Sequence, residues 1–346
     1  MTGSSPVLME ISGLSVSYGT GPRAVRAVDD VSLPIRQGEA VGLAGESGSG
    51  KSTLALAVAR LLRPPAVVGT GQVTYYPPGR EAPVPPIEVL SLDKRALRRF
   101  RWQEVAVVLQ SAMNALNPVL SLRAQLTDVL ATHQPGLSRS ERTLRARELL
   151  ETVGVSPDRL KAYPHELSGG MRQRAMIAMA LALRPRLIIM DEPTTALDVV
   201  TQRQILEELA SLRKQFGFAM MFITHDLSLL LEMADTIAVM YAGRLVEYAS
   251  AEQIYARPAH PYTAGLLRSF PPLSGPRRTL EGIPGSPPSL RGLPPGCPFR
   301  PRCPRAAADC ATTRPDLSAP AAGPDGGRLA ACLHDLTMAD SQEALS

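Results

Sequence analysis

The sequence predicts an α/β protein with a small second domain, rich in proline and cysteine, at its C-terminal end. Three observations lead there. Short apolar runs at 40–44, 105–109, 187–190 and 219–223 alternate with longer stretches whose Leu, Ala and Arg content suits helices. A glycine-rich turn at 45–50 separates the first of these runs from a helical segment. From about residue 251 the composition changes, and residues 271–332 hold 14 of the 32 prolines.

Residues 7–44 alternate apolar and polar side chains, with turns at Tyr18-Gly19-Thr20-Gly21 and Gln37-Gly38, so they read as strands, the last a buried one at 40–44. A helix is predicted from Ser52 to about Leu62, stopping before Pro64-Pro65. Residues 63–88, dense in Pro and Gly, read as irregular loops with a short strand around 73–76. Residues 121–183 are mostly helical in pattern, and 187–190 and 219–223 read as central parallel strands. A domain boundary is expected near 250–270.

At 346 residues, 45% hydrophobic and 20% charged, the chain is globular in composition and long enough for one large domain and a smaller one. The net charge of +5 is modest. Its basic clusters are Lys94-Arg95…Arg98-Arg99…Arg101 and Arg139…Arg142…Arg145…Arg147; the second is interleaved with Glu141 and Glu148 and reads as a solvated helix face, with no nucleic-acid partner expected. The first 16 residues lack the pattern of a secretory signal. The longest apolar run, 175–183, is far short of the ~20 residues a membrane helix needs. A soluble, cytoplasmic protein is expected; work at a membrane would need other chains to supply the spans. In that reducing compartment disulfides are not expected among Cys297, Cys303, Cys310 and Cys332.

Gly45-Glu46-Ser47-Gly48-Ser49-Gly50-Lys51-Ser52 fits the P-loop pattern of Gly, four residues, Gly, Lys and Ser/Thr, between an apolar strand and a helix. Glycines let backbone N–H groups converge on phosphates, and the helix N-terminus adds its positive dipole end. Lys51 is expected to reach the β- and γ-phosphates of a nucleotide, and the Ser52 hydroxyl to bind Mg²⁺. The run 187–190 ends on Asp191-Glu192, which puts one carboxylate where it can hold Mg²⁺ and a second where it can act as general base toward water. Ser168-Gly169-Gly170-Met171, ahead of a long Ala/Met helix, makes a second anion-binding helix start, which a simple NTPase does not need.

These motifs, in this order, resemble the ATPases of ATP-binding cassette (ABC) transporters over residues 7–250. The resemblance implies a P-loop NTPase of the ABC type, a mixed sheet core with a helical subdomain at about 111–183. It implies that Tyr18 stacks on adenine and that Gly45, Glu46, Ser47, Gly48, Ser49, Gly50, Lys51, Ser52 and Thr53 bind ATP. Gln110, after the strand at 105–109, would hold Mg²⁺ with Ser52 and Asp191. Glu192 would be the catalytic base, and His225 the switch histidine on the γ-phosphate. Ser168, Gly169, Gly170 and Met171 would form the signature that faces a partner's ATP, and Ala196-Leu197-Asp198 the D-loop. Two such domains pair head to tail, each ATP lying between one P-loop and the other's Ser-Gly-Gly helix.

Further stretches resemble peptide and nickel importers of bacteria. Met113-Asn114-Ala115-Leu116-Asn117-Pro118-Val119-Leu120 is similar to their "SLNPV" segment, and Glu247…Ala251-Glu252…His260-Pro261-Tyr262-Thr263…Leu266-Leu267 to their C-terminal extension. Gly296-Cys297-Pro298-Phe299-Arg300-Pro301-Arg302-Cys303-Pro304 is similar to their cysteine-rich tail. Met171 resembles the D-type subunit. One departure is Ser111-Ala112, where the family commonly has Asp-Pro.

The expectation is an ATPase domain at 1–250, an extension at 251–335 with a cluster-binding segment at 297–332, and a disordered tail at 336–346. The implied partners are an F-type ATPase subunit, two transmembrane permeases and an extracytoplasmic solute-binding protein, at the cytoplasmic face of the bacterial membrane. Import of di- or oligopeptides is the expected function, with nickel or another peptide-like solute as the alternative; an ABC ATPase of DNA repair or translation fits less well.

The four cysteines are separated by five, six and twenty-one residues. Structural zinc sites prefer cysteine pairs two to four residues apart. Four thiolates without such pairs, two of them followed by Pro298 and Pro304, suit a [4Fe–4S] cluster. Zinc with His334 nearby, or free thiols, is the alternative. The resembling subfamily carries such a cluster there.

Overall fold

In chain order the strands are β1 (Val7–Tyr18), β2 (Val25–Arg36), β3 (Ala40–Ala44), β4 (Ala66–Tyr75), β5 (Ile87–Glu88), β6 (Val105–Val108), β7 (Leu187–Asp191), β8 (Ala219–Ile223), β9 (Thr236–Tyr241), β10 (Arg244–Ser250) and β11 (Leu329–Ala330). The described helices are α1 (Lys51–Val58), α2 (Lys94–Gln103), α3 (Leu122–His133), α4 (Arg139–Thr152), α5 (Gly169–Leu181), α6 (Val199–Phe216), α7 (Leu227–Met233), α8 (Ala251–Ala256) and α9 (Pro261–Arg268). The structure is a computed structural model that describes residues 5–79, 84–109, 115–194, 197–269, 282–320 and 327–337. These pack as two compact units, one within Met1–Pro6, Arg36–Gly38 and Ser91–Met221, the other within Val7–Ile35, Glu39–Leu90 and Phe222–Ser346.

The second unit holds a four-stranded sheet in the order β2-β1-β4-β5. It also holds a mixed sheet, in which β3 pairs parallel with β9, and β10 pairs antiparallel with both β9 and β11. All five residues of β3 are buried, as expected of a parallel strand covered on both faces. The β9–β10 hairpin turns at Ala242 and Gly243, both at positive φ, the backbone that matches the twist of the flanking strands.

Two elements depart from the sequence reading. Helix α1 ends at Val58 because Arg60 takes left-handed backbone and its N–H bonds Ala57 O at 2.9 Å. Strand β4 starts at Ala66, well before residue 73, and pairs with β1 from Met9↔Tyr75 to Tyr18↔Ala66. Gly71, which reads as a loop residue, sits at φ 97° beside the irregular register of β1, and a Cβ there would lie 2.5 Å from Leu14 Cα. The glycine therefore lets a bulged ladder close instead of breaking a strand.

In the first unit β6 and β7 pair in parallel, Val105↔Leu187 to Val108↔Met190. Helix α4 opens with a capping box, Ser138 Oγ accepting from Glu141 N while Glu141 accepts from Ser138 N. Its basic face includes the exposed Arg145–Glu148 pair at 3.0 Å, worth no more than about 0.5 kcal/mol. Helix α6 runs from an Asp198 N-cap to Gly217, left-handed at φ 69°, whose N–H bonds Arg213 O. Among the described residues no helix is long and apolar enough to cross a membrane.

The C-terminal part of the second unit is built around a buried carboxylate. Glu247 on β10 is fully buried and accepts from Ala259 N (2.7 Å), His260 N (2.9 Å) and Arg328 Nη2 (3.1 Å). Burial raises its pKa, against the lowering effect of those donors. Leaving either charge of such a pair alone costs about 3–5 kcal/mol. His260, also buried, caps α9 by accepting from Tyr262 N at 3.0 Å, and burial pushes its pKa down to about 4. The imidazole is neutral at pH 7, as an accepting Nδ1 requires.

Candidate functional site

The loop between β3 and α1 is shaped by close backbone approaches. Gly45 lies at φ 139° and Gly50 at φ 106°; a Cβ on them would sit 2.2 Å from Met240 O and Ala27 O respectively. Only glycine fits at either position. Gly243 N–H ties the loop down through Ser49 O at 3.1 Å. Lys51 is 7% exposed, and its Nζ donates to Gly45 O (2.7 Å), Glu46 O (2.9 Å) and Ser49 Oγ (3.4 Å). The loop thus curls around its own ammonium, with Ser47, Gly48 and Ser52 exposed at the mouth. Gly50 starts α1 without a side-chain cap, so no side chain competes for the first N–H groups of the helix. The Tyr18 hydroxyl lies 3.2 Å from Thr53 Oγ1, which brings the expected adenine-stacking tyrosine to the first turn of α1. His225 is exposed ahead of α7, whose N-cap is Asp226.

In the first unit β7 ends on the buried Asp191, and Glu192 follows at φ 46°. Left-handed backbone at a glutamate costs of order 1 kcal/mol and turns the chain abruptly out of the strand. The exposed Ser168 is the N-cap of α5, its Oγ accepting from Met171 N at 3.2 Å. A Cβ on Gly170 would lie 2.8 Å from Thr201 Cγ2. Thr201 is itself held by Asp198, through its N–H at 2.9 Å and its hydroxyl at 2.7 Å, and these bonds hold the Asp198 carboxyl below the usual range. Helices α5 and α6 are thus in contact at their N-terminal ends. Arg174 on α5 is bound to Glu208 on α6 and donates to Val153 O at 3.2 Å. Gln110, the Ser111-Ala112 departure, Met113, Asn114, Ala196 and residues 338–346 of the expected tail lie outside the described residues.

Cys297, Cys303, Cys310 and Cys332 line one small cavity with His260, Phe299 and His334. Cys297 N–H bonds Cys310 O at 2.9 Å, and Gly296 admits that approach because a Cβ on it would meet the same oxygen at 2.2 Å. Burial raises the thiols of Cys297 and Cys303, and that of Cys332 to about 12. His334 Nε2 lies 2.8 Å from Asp309 Oδ1 and 2.9 Å from its Oδ2, and Asp309, Cys310 and His334 form a group with metal-ligand spacing.

Reasoning from sequence missed the side chains that reach the glycine loop from the C-terminal extension. Glu46 N–H donates to the Tyr262 hydroxyl at 2.8 Å, and the Glu46 carboxylate receives Arg302 Nη1 at 2.6 Å and Nη2 at 3.0 Å. Tyr262 and Arg302 lie within stretches that carry the resemblance, but nothing local announces a contact 256 positions away.

A glycine loop wrapped around a lysine at a helix start, an apolar strand ending in Asp-Glu, and a second serine-capped glycine helix define an ABC-type P-loop NTPase. Known proteins agree. The ABC transporter family matches residues 28–195, and the oligopeptide/dipeptide transporter C-terminal region matches residues 246–310. The chain is 43% identical to the oligopeptide transport ATP-binding protein OppD of Salmonella typhimurium, across 94% of this chain and 93% of that one. It is 42% identical to the OppD of Escherichia coli across 89% of each. Among solved structures it is similar to a bacterial ABC transporter cassette solved as a dimer, at 29% identity and a TM-score of 0.61 over 70% of this chain and 99% of that one. A dimeric post-hydrolysis cassette bound to ADP and Pi matches at 28% identity and a TM-score of 0.60, over 70% of this chain and 99% of that one. The chain belongs to the ABC transporter ATP-binding proteins, in the branch with the oligopeptide/dipeptide transporter C-terminal region.

Proposed function

We infer that this chain is the ATP-hydrolysing subunit that powers import of di- or oligopeptides through an ABC transporter. The observation that carries the reading is one chain that joins the lysine-filled glycine loop to a C-terminal region matched in peptide transporters along its length. Lys51 and the loop N–H groups hold the ATP phosphates, with Tyr18 beside Thr53 against the adenine. Ser52, Asp191 and Gln110 would hold Mg²⁺, which would supply positive charge to offset the negative charge of the phosphates. Glu192 accepts a proton from water as it attacks the γ-phosphate, and His225 contacts that phosphate. ATP closes two such domains, and loss of the γ-phosphate opens them.

The exposed Ser168 and its glycines fit a composite site completed by a second ATPase subunit, for which Met171 favours a distinct F-type partner over a second copy. Two permeases and an extracytoplasmic solute-binding protein complete the importer, with this chain peripheral at the cytoplasmic face. Residues 1–250 are the ATPase domain and 251–335 the extension. In proteoliposomes holding permeases, both ATPase subunits and binding protein, a labelled oligopeptide should accumulate only with hydrolysable ATP. Peptide left outside while nickel accumulates would reassign the cargo.

The cysteine cavity fits a [4Fe–4S] cluster held by Cys297, Cys303, Cys310 and Cys332. The four thiols line one cavity, and burial raises those of Cys297, Cys303 and Cys332; ionised together they would repel one another, and a cationic centre would relieve that. Bound there, the cluster would staple a proline-rich segment with little core of its own. The Asp309–Cys310–His334 group is the observation that favours zinc instead. Anaerobically purified protein should be brown, with absorbance near ~400 nm and about four irons per chain. Colourless protein with stoichiometric zinc would sink the cluster.

A further inference from the structure

Among the described residues the C-terminal extension reaches the nucleotide loop at Glu46. Its carboxylate is held by both arms of the Arg302 guanidinium, at 2.6 and 3.0 Å, and its N–H by the Tyr262 hydroxyl at 2.8 Å. Its carbonyl in turn accepts from Lys51 Nζ at 2.9 Å. A shift of Glu46 therefore moves an anchor of the phosphate-binding ammonium.

Arg302 is built for this place. Its side chain is 5% exposed and lies over the Tyr241 ring at 5.9 Å. All five N–H donors are used: Nε on Pro284 O (2.8 Å), Nη1 on Glu46 and the Tyr241 hydroxyl (3.4 Å), Nη2 on Glu46 and Ile283 O (3.4 Å). A planar fork locked on five sides holds a carboxylate in one orientation, which a flexible lysine would not. Arg302 also directly precedes Cys303, on the short turn Arg300–Arg302. That turn is closed by Arg300 N–H on Cys297 O (3.1 Å) and Cys303 N–H on Arg300 O (3.2 Å). The backbone that places two of the thiols is the backbone that places Arg302.

We propose that Arg302 is a positioning residue for the ATPase, a strut from the cysteine-bearing turn that sets ATP affinity through Glu46 and couples the nucleotide loop to the thiol cavity. The reading of 45–52 as the phosphate cradle underlies it; what the thiols bind does not matter to it. Reciprocity is required: if the state of the cysteine turn changes ATP affinity, ATP changes the turn by the same factor.

The experiment is a double-mutant cycle on the full-length chain, with Mg-ATP affinity measured by titration. Arg302→Met and Glu46→Ala should each weaken binding by ~10-fold, and the double variant no more than the worse single. In the assembled transporter, kcat at saturating ATP should stay within about twofold of wild type for Arg302→Met, because the defect is in ground-state binding. A merely structural loss would lower the active fraction and leave the affinity of the remainder unchanged. Unchanged affinity, or strictly additive losses, would overturn the strut; loss of binding in Lys51→Ala alongside would leave the phosphate cradle standing. Should Arg302→Met not fold, Glu46→Ala decides with a second readout. Mg-ATP should change the amide hydrogen-exchange rate of residues 297–303 severalfold in the wild-type chain, and leave it unchanged in the variant. An equal response in both chains, or none in wild type, rejects the coupling.

Discussion

Lys51→Ala should remove ATP binding from this chain. The ammonium is buried at the centre of the loop, held by two carbonyls at 2.7 and 2.9 Å, with no other lysine in the loop to replace it. Each hydrogen bond to a charged group contributes roughly 1.5–3 kcal/mol, so loss of contacts to two phosphates corresponds to about 10²–10⁴-fold in affinity. Titration with a fluorescent ATP analogue reads this directly. The fold should survive, since the lysine contacts loop oxygens that water can satisfy in the variant. Retained affinity within a factor of a few would show that the nucleotide sits elsewhere.

Glu192→Gln should do the reverse, keeping ATP and losing turnover. A glutamine is the same size and can keep the backbone at φ 46°, but it cannot accept the proton of the attacking water. General-base catalysis contributes ~10²–10⁴-fold, so kcat in the assembled transporter should fall by that much with KM little changed. The γ-phosphate then persists, and the closed pair of ATPase subunits should accumulate and elute as a dimer when Mg-ATP is present. Wild-type turnover by the variant complex would remove Glu192 as the base.

The two substitutions separate because Lys51 acts in ground-state binding and Glu192 in the transition state, and the elements around them were legible to different degrees. Glycines at 45 and 50 are demanded by local geometry, since a Cβ would strike a carbonyl oxygen, and such demands leave a pattern in the sequence. Caps are equally local: Ser138 with Glu141, and Asp198 with Thr201, lie three residues apart. By contrast, the proline- and glycine-rich stretch after α1 hid a ten-residue strand, because β4 owes its existence to β1 and not to its own propensity. Intrinsic strand preference is weak beside a ladder of partner hydrogen bonds.

The sequence by itself determined the ABC-type cassette: the order and spacing of the glycine loop, the Asp-Glu strand end and the Ser-Gly-Gly helix start are short-range chemistry. It also determined that four thiols fall in the C-terminal segment, though not that they share a cavity. Only the tertiary structure decided that, as it decided the grip of Arg302 and Tyr262 on Glu46. Those contacts join positions more than two hundred residues apart, 256 for Arg302 and 216 for Tyr262. Propensity and periodicity act over a few turns of chain, whereas packing brings together whatever the fold makes neighbours, and a buried arginine records its partner in space and not in the letters beside it.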